Sequence, residues 1–341
     1  MTRVLAFESS CDECSAAVIE DGSVLAVRTH TQSVHREYGG VVPELAGRSH
    51  LELVDRLCHE VLTDADLGLD RIDCVAATSG PGLVGSLLIG LHYGQGIAQG
   101  RNLPFRQIHH MEAHLYSAEI ESGPMPLPFL VLLVSGGHTL LVLVRGLRDY
   151  EILGSTLDDA IGEAYDKVGK LVGLSFPAGA DVDRLAKSGD PHAYAFPISK
   201  QDASLDFSYS GLKTAFRYQI QKMTPQEIAE RRSDLLASFQ HAALSSTKAK
   251  IVSAVKRVAP RALVAAGGVS ANSVLREAML STAESVGIPC YVPALRYCAD
   301  NAAMIGYLAW KLEQEGVKDS FEVRARPRWS ITDLNREAAR N

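Results

Sequence analysis

The sequence predicts an α/β protein of two similar lobes, each a mixed sheet flanked by helices, with helical insertions and a central cleft between the lobes. Three observations carry this. One order of elements, β-β-β-α-β-α-β and a further helix, occurs twice, the second set about 125 residues after the first. In both sets a glycine-rich turn joins an apolar run of strand type to a helix. At 341 residues the chain is long enough for two cores.

Val4–Phe7, Ser15–Glu20 and Val24–His30 read as strands, the last two joined by the turn Asp21-Gly22. A helix follows over about Pro43–Leu62, where His50, Leu53, Val54, Leu57 and Val61 share one face. Val75–Thr78 is a buried-type strand, Val84–Gln99 a helix, and Leu103–Ile108 contains the next strand. The second set is Phe129–Val134, Thr139–Val144, Tyr150–Leu153, Ala262–Ala266, the helix Ala271–Val286 and Cys290–Val292. Extra helices are inserted over about 159–260, one of them, Pro225–Val258, long enough to be broken. The expected domains are 1–127, 128–300 with that insertion, and a helix and tail over 301–341 that packs back on the first lobe.

Composition narrows the function classes. Hydrophobic residues make up 46% and the formal net charge is −6, so bulk electrostatics do not grip nucleic acid. A local patch is compatible with this: Arg324, Arg326 and Arg328 alternate beside Trp329. No apolar run reaches the eighteen or so residues of a membrane span. Cys11 and Cys14 form a C-x-x-C, but Asp12 and Glu13 between them oppose thiolate formation. Six reduced thiols in a cytoplasmic protein are expected.

The stretch His109-His110-Met111-Glu112-Ala113-His114 opens a helix expected over Met111–Ile120, ended by Gly123-Pro124. With His110 in the first turn, His110 and His114 lie one turn apart on one face, close enough to share a metal ion. Glu112 faces away, so this is not the zincin pattern H-E-x-x-H. Polar residues at a helix start account for the pair equally well until a third ligand is found. The place equivalent to His110 in the second lobe, after its last strand, holds Ala299-Asp300-Asn301. Pseudo-symmetry thus offers Asp300 across the cleft, either as ligand, as N-cap of a helix over Asn301–Glu315, or as both.

Gly80-Pro81-Gly82-Leu83-Val84-Gly85 matches G-x-G-x-x-G, but no Asp or Glu occurs from Val75 to Met111, so the dinucleotide reading fails and close packing of a glycine-rich helix is preferred. Leu133-Val134-Ser135-Gly136-Gly137-His138-Thr139 is a strand, a bare turn and a strand, suited to bringing backbone amides close to an anion. Its counterpart Glu8-Ser9-Ser10-Cys11-Asp12-Glu13 is acidic. Gly267-Gly268-Val269-Ser270-Ala271-Asn272 opens a helix toward the cleft. Asp166, Gly179 and Asp183 add groups suited to a ribose.

Taken together these residues resemble the actin/hexokinase/Hsp70 (ASKHA) nucleotide-binding fold. More closely, the chain resembles the tRNA threonylcarbamoyladenosine transferase family, TsaD, once described as O-sialoglycoprotein endopeptidases. The matching stretches are Glu8–Glu13, Tyr38–Ala46, Ser79–Gly85, His110–His114, Ser135–Thr139, Phe207–Lys213, Ala266–Asn272 and Asp300-Asn301, in order along nearly the whole chain. Leu140 and Ala178 stand where many members carry Gln and Gly.

The resemblance implies that His110, His114 and Asp300 hold one divalent ion, iron or zinc, with His138 and Glu13 as candidate outer partners. It implies that the backbone of Leu133, Val134, Ser135, Gly136 and Gly137 lines threonylcarbamoyl-AMP, with Asp166, Gly179, Asp183 and Asn272 around its nucleotide, and that Asp12 assists the chemistry. The implied reaction is transfer of the threonylcarbamoyl group to the adenosine 3′ of the anticodon in tRNAs reading codons that begin with A, releasing AMP. The implied partners are tRNA, a related inactive subunit (TsaB), an ATPase (TsaE) and a separate enzyme that supplies the adenylate (TsaC), with no membrane. The rivals are a metalloprotease, a kinase or ATPase of the same fold, and an inactive scaffold. The missing H-E-x-x-H glutamate counts against the first, and the histidine–aspartate trio against the other two.

Overall fold

The computed structural model describes residues 1–198, 204–317 and 322–338. Parts of the expected insertion (199–203) and tail (318–321 and 339–341) lie outside the described residues. The chain divides into two compact units, Met1–Gly123 with Leu147–Asp149 and Asp300–Asn341, and Pro124–Gly146 with Tyr150–Ala299.

The first unit is built on strands β1 (Arg3–Glu8), β2 (Glu13–Glu20), β3 (Ser23–Thr31), β4 (Cys74–Gly80) and β5 (Phe105–His109). They lie in the order β3-β2-β1-β4-β5, with β1 antiparallel to β2 and parallel to β4, and β4 parallel to β5. Helices α1 (Pro43–Asp64), α2 (Val84–Arg101), α3 (His110–Tyr116) and α4 (Glu119–Ser122) follow these strands in the chain. The expected helix over Met111–Ile120 is therefore two short ones.

The second unit repeats the plan with β6 (Phe129–Val134), β7 (Thr139–Gly146), β8 (Asp149–Ser155), β9 (Ala262–Ala266) and β10 (Cys290–Tyr291), ordered β10-β9-β6-β7-β8. Counted from its own first strand, each sheet thus has the order third, second, first, fourth, fifth. The doubled order read from the sequence is the doubled topology of the structure. Helices α5 (Ile161–Leu171), α6 (Gly179–Ala186), α7 (Ser210–Ile220), α8 (Pro225–Glu230), α9 (Arg232–Val258) and α10 (Ser273–Val286) belong to this unit. The long helix expected over Pro225–Val258 breaks at Arg231, after a capping box in which Thr224 and Glu227 satisfy each other's amides. Two more helices, α11 (Ala302–Gln314) and α12 (Asp333–Ala338), complete the described chain in the first unit.

Alternation along the strands assigns the faces of the first sheet. Leu5 and Phe7 of β1 join Val54, Leu57 and Val61 of α1 and Leu91 of α2 in one apolar core. Ala6 between them faces the other way, toward Gly306 of α11, where a Cβ would come within 3.1 Å of Ala6 and 2.5 Å of Ile19. A glycine is needed there for α11 to lie this close. Both faces being covered explains why β1 and β4 read as continuous apolar runs. In the second unit Leu130, Leu132, Val134 and Leu141 pack with Tyr165 and Val168 of α5 and Phe239 of α9.

Close packing also explains the glycines of the Gly80-Pro81-Gly82 turn. A Cβ on Gly80 would strike the carbonyl of Arg326, and one on Gly82 would come within 2.5 Å of the carbonyl of Ser10. Among the described residues no helix is long and apolar enough to cross a membrane.

Candidate metal centre

His110 and His114 stand at the start and the middle of α3, with ring centroids 4.8 Å apart and planes at 89°. The helix begins at His110 because His109 caps it, its Nδ1 accepting from the amide of Glu112 (3.3 Å). Asp300 lies just before α11. Its Oδ1 is 3.0 Å from His114 Nε2 and 3.5 Å from His110 Nε2. One donor atom from each of the three falls within 4.8 Å of the others. That is the nitrogen and oxygen donor set of a divalent transition metal with positions left open.

Asp300 is free for this role because Asn301, not Asp300, is the N-cap of α11, accepting from the amide of Met304 (3.1 Å). Ser15 Oγ accepts from the amide of Ala302 (2.9 Å) and so fixes the helix start against β2. Farther along, Tyr307 and Lys311 of α11 donate to buried Glu119 (3.0 and 2.8 Å). These bonds hold α11 and the α3–α4 segment in one register. All three cluster members belong to the first unit. Pseudo-symmetry suggested the twin lobe for Asp300; the packing of α11 on the first sheet assigns it to the lobe of the histidines.

A residue that sequence reasoning did not select supports the cluster from behind. Glu8, 1% exposed at the end of β1, accepts from His110 Nδ1 (3.0 Å), from the Thr78 hydroxyl (2.6 Å) and from the Ser10 amide (2.5 Å). A carboxylate on the far nitrogen of a ligating histidine fixes its ring and raises its basicity. The signal was present in the sequence: an acidic residue closing the run Val4-Leu5-Ala6-Phe7 is carried inward with it, and a buried carboxylate needs partners.

The electrostatics are those of a site short of positive charge. Burial alone would lower the pKa of His110, but Asp300 and Glu8 outweigh it and hold the imidazole well above its ordinary value. Burial likewise opposes ionisation of Glu8 and Asp300, and His110 reverses it, so both carboxyls sit below their usual range. Glu13 goes the other way. Burial first, then Asp300, Asp12 and Glu8, push its pKa well up, and it hydrogen-bonds to Asp12. Burial, with Asp12 and Asp300, raises the Cys11 thiol strongly, and burial with Glu8 raises Cys14 to about 12. All six cysteines are free thiols. Glu8, Asp12, Glu13 and Asp300 thus set four carboxyl groups around one histidine pair, surroundings that suit a bound cation.

Glu8→Gln tests the outer support. It keeps the shape and loses the charge, so metal affinity is expected to fall about 10–100-fold with the fold intact. Competition against a chelator of known affinity measures this; unchanged affinity would show that Glu8 does not act on the ion.

The second unit holds the residues expected around the nucleotide, and His138 with them. Leu133 and Val134 have fully buried side chains, so they can offer only backbone to a ligand. Ser135, Gly136 and Gly137 form the β6–β7 turn, and Cβ atoms at both glycines would meet open space. Gly162 at the head of α5 lies against this turn, where a Cβ would be 2.6 Å from the Ser135 carbonyl. Gly267 has φ +85° and lies against the Val134 carbonyl, so the strand end and the second glycine turn adjoin.

Hydrogen bonds string the polar residues together. Asp166 accepts from the Ala178 amide (2.7 Å) just before Gly179, the first residue of α6. Asp183 accepts from the hydroxyl (3.0 Å) and amide (3.3 Å) of Ser273. Asn272 caps α10 (2.9 Å to the Leu275 amide) and donates to Gln240 (2.8 Å). His138 lies exposed on the turn, its amide donating to Ser135 Oγ (3.2 Å). Asp12 lies in the β1–β2 loop of the first unit, half-buried beside Cys11 and Glu13.

Two five-stranded sheets of one strand order, with a buried histidine–aspartate cluster, define an α/β protein of the actin/hexokinase/Hsp70 fold carrying a candidate metal centre. Solved structures with this fold include T. kodakarensis HypF (TM-score 0.62, 12% identity, 93% of this chain and 48% of that one). Another is the activator of the 2-hydroxyisocaproyl-CoA dehydratase from Clostridium difficile (TM-score 0.52, 14% identity, 94% and 100%). At such identities they speak to the fold alone. The family model described as "TsaD: tRNA N6-adenosine threonylcarbamoyltransferase" matches residues 23–307. Proteins of that name from Geobacter sp. (strain M21) and Bordetella petrii are 46% and 45% identical, over 97% of this chain and 97% and 98% of their own lengths. One from Chlorobium limicola is 43% identical, over 94% of this chain and 95% of its own. The chain belongs to the tRNA N6-adenosine threonylcarbamoyltransferase family and is an enzyme of tRNA modification.

Proposed function

We propose that the chain transfers the threonylcarbamoyl group of threonylcarbamoyl-AMP to the exocyclic amine of the adenosine 3′ of the anticodon, in tRNAs reading codons that begin with A. His110, His114 and Asp300 would hold one iron or zinc ion. The observation that carries the reading is the convergence of Asp300 Oδ1 on both imidazoles, at 3.0 and 3.5 Å, in a chain of this family. Such an ion, when bound, supplies Lewis-acid polarisation and a template for orientation.

The remaining chemistry falls to the chain's own groups. The amine nitrogen bonds to the carbamoyl carbon, the bond from that carbon to the phosphate oxygen breaks, and AMP leaves with the electron pair. Because the donor is a mixed anhydride, already activated, no base for ATP hydrolysis is required. An aromatic exocyclic amine is a weak nucleophile, so Asp12 as acceptor of its proton fits the need. The Ser135 amide closes the turn onto the His138 carbonyl (2.9 Å), and the amides of Gly136 and Gly137, with open space beside them, are suited to the negative charge that develops on the donor. Asp166, Gly179, Asp183 and Asn272, held in place by local hydrogen bonds, are suited to the ribose and base. The net charge of −6 fits a subunit that meets tRNA with partners, a TsaB-like paralogue and a TsaE-like ATPase, while a TsaC-type enzyme supplies the adenylate.

The test is reconstitution with the adenylate and an unmodified tRNA, with and without those partners, alongside metal analysis. Mass spectrometry of the digested tRNA is expected to find the modified adenosine and stoichiometric AMP. A metal-loaded, fully partnered chain that leaves the tRNA unmodified would overturn the reading.

A further inference from the structure

The C-terminal stretch returns across the first unit as a strap pinned by its own backbone. The Arg324 amide donates to Gln107 Oε1 (3.1 Å) and the Arg326 amide to the Ser79 carbonyl (2.6 Å). The Gly82 amide donates to the Pro327 carbonyl (3.2 Å). Trp329 is buried, its ring 4.7 Å from that of His109, and its carbonyl accepts from His109 Nε2 (3.2 Å). His109 is the residue before His110. The strap is therefore tied directly to the corner that carries the candidate metal ligands.

Along this strap the alternating arginines are sorted. The guanidinium of Arg326 lies 4.5 Å over the Trp329 ring. Arg324 and Arg328 are exposed, and among the described residues neither side chain has an ion-pair partner. Arg28, Arg106 and Arg145, by contrast, are each paired to a carboxylate. Two unneutralised forks on a fixed backbone are suited to phosphate oxygens, and the fixed backbone means little ordering is left to do on binding. Four residues apart, their backbones span at most about 14 Å, enough to meet separate phosphates of one strand. The chain as a whole is anionic at −6. That net charge repels a polyanion overall, so a local cationic line favours the side from which one approaches.

We infer that this strap, through Arg324 and Arg328, is the edge along which the phosphate backbone of the tRNA lies as its adenosine reaches the His110–His114–Asp300 corner. The inference rests on the reading of tRNA as substrate. Its test uses the assembly that modifies an unmodified tRNA transcript, comparing wild type with Arg324→Glu/Arg328→Glu and Arg324→Gln/Arg328→Gln across a salt series. The charge-reversed pair is expected to raise KM for tRNA about tenfold or more and to flatten the log–log salt slope by about 1–2, at roughly 0.7–0.9 for each phosphate no longer neutralised. The glutamine pair should fall between, and metal content and kcat at saturating tRNA should stay at wild-type values. A charge-reversed pair with wild-type KM and salt slope would overturn the inference. So would a fall in metal content in step with the fall in tRNA affinity, which would make the strap a brace only. A wild-type assembly that neither binds nor modifies tRNA would instead sink the functional reading beneath it.

Discussion

If His110, His114 and Asp300 hold a divalent ion as proposed, Asp300→Ala is expected to abolish its binding while leaving both sheets folded. The carboxylate is the meeting point of His110 and His114, at 3.5 and 3.0 Å, and its neighbour Asn301 cannot stand in for it, being committed to capping α11. Removing a group that merely supports a ligand typically costs about 10–100-fold in metal affinity; loss of a direct ligand should exceed that. Wild-type protein should also gain stability on metal addition, about 2.7 kcal/mol at a hundred times the dissociation constant, and the variant should gain nothing. Retention of wild-type metal content would remove Asp300 from the site. The wild-type centre should in turn be acid-labile. His110 must be neutral to ligate, and Asp300 and Glu8 raise its pKa in the metal-free chain. Protons therefore begin to compete at a higher pH than they would for an ordinary histidine, and metal affinity should fall steadily as the pH is lowered.

Asp12→Asn should reduce transfer by about 10²–10⁴-fold, the usual worth of general-base help, with metal content and adenylate binding intact. The substitution removes the proton acceptor but keeps a side chain able to hydrogen-bond to Glu13, whose neutral form is favoured by burial and by the surrounding carboxylates. Single-turnover transfer from preformed adenylate isolates the step. A wild-type rate in that assay would show that the amine loses its proton elsewhere.

Local pattern carried most of the architecture. The apolar run of β6, the hairpin turns and the glycine turns mark their own boundaries, and the repeated order points to a repeated sheet because like connections place like strands side by side. The histidine pair was legible for the same reason, being a spacing of four on one short helix. What local pattern could not reveal depends on packing between distant parts of the chain. Asp300 was found by analogy between the two halves, yet the unit that holds it follows from Gly306 fitting against Ala6 and Ile19, which no spacing encodes. The division of labour between Asp300 and Asn301 was likewise open, because either side chain can cap a helix. Glu8 became a partner of His110 only once β1 and β5 were known to flank β4. The helix expected to run through Ile120 divides after Tyr116, where the Ser117 amide and hydroxyl both turn back to the His114 carbonyl (3.2 and 2.9 Å).

The membership of the first unit has a consequence for biosynthesis. Its imidazoles are translated early and its carboxylate only after the whole intervening second unit, at Asp300. A nascent chain emerging from the ribosome thus carries two of the three candidate ligands and a sheet whose α11 face is bare until the last helices arrive. An ion bound by all three could be captured only late, and a polypeptide released before Asp300 lacks the carboxylate of the trio.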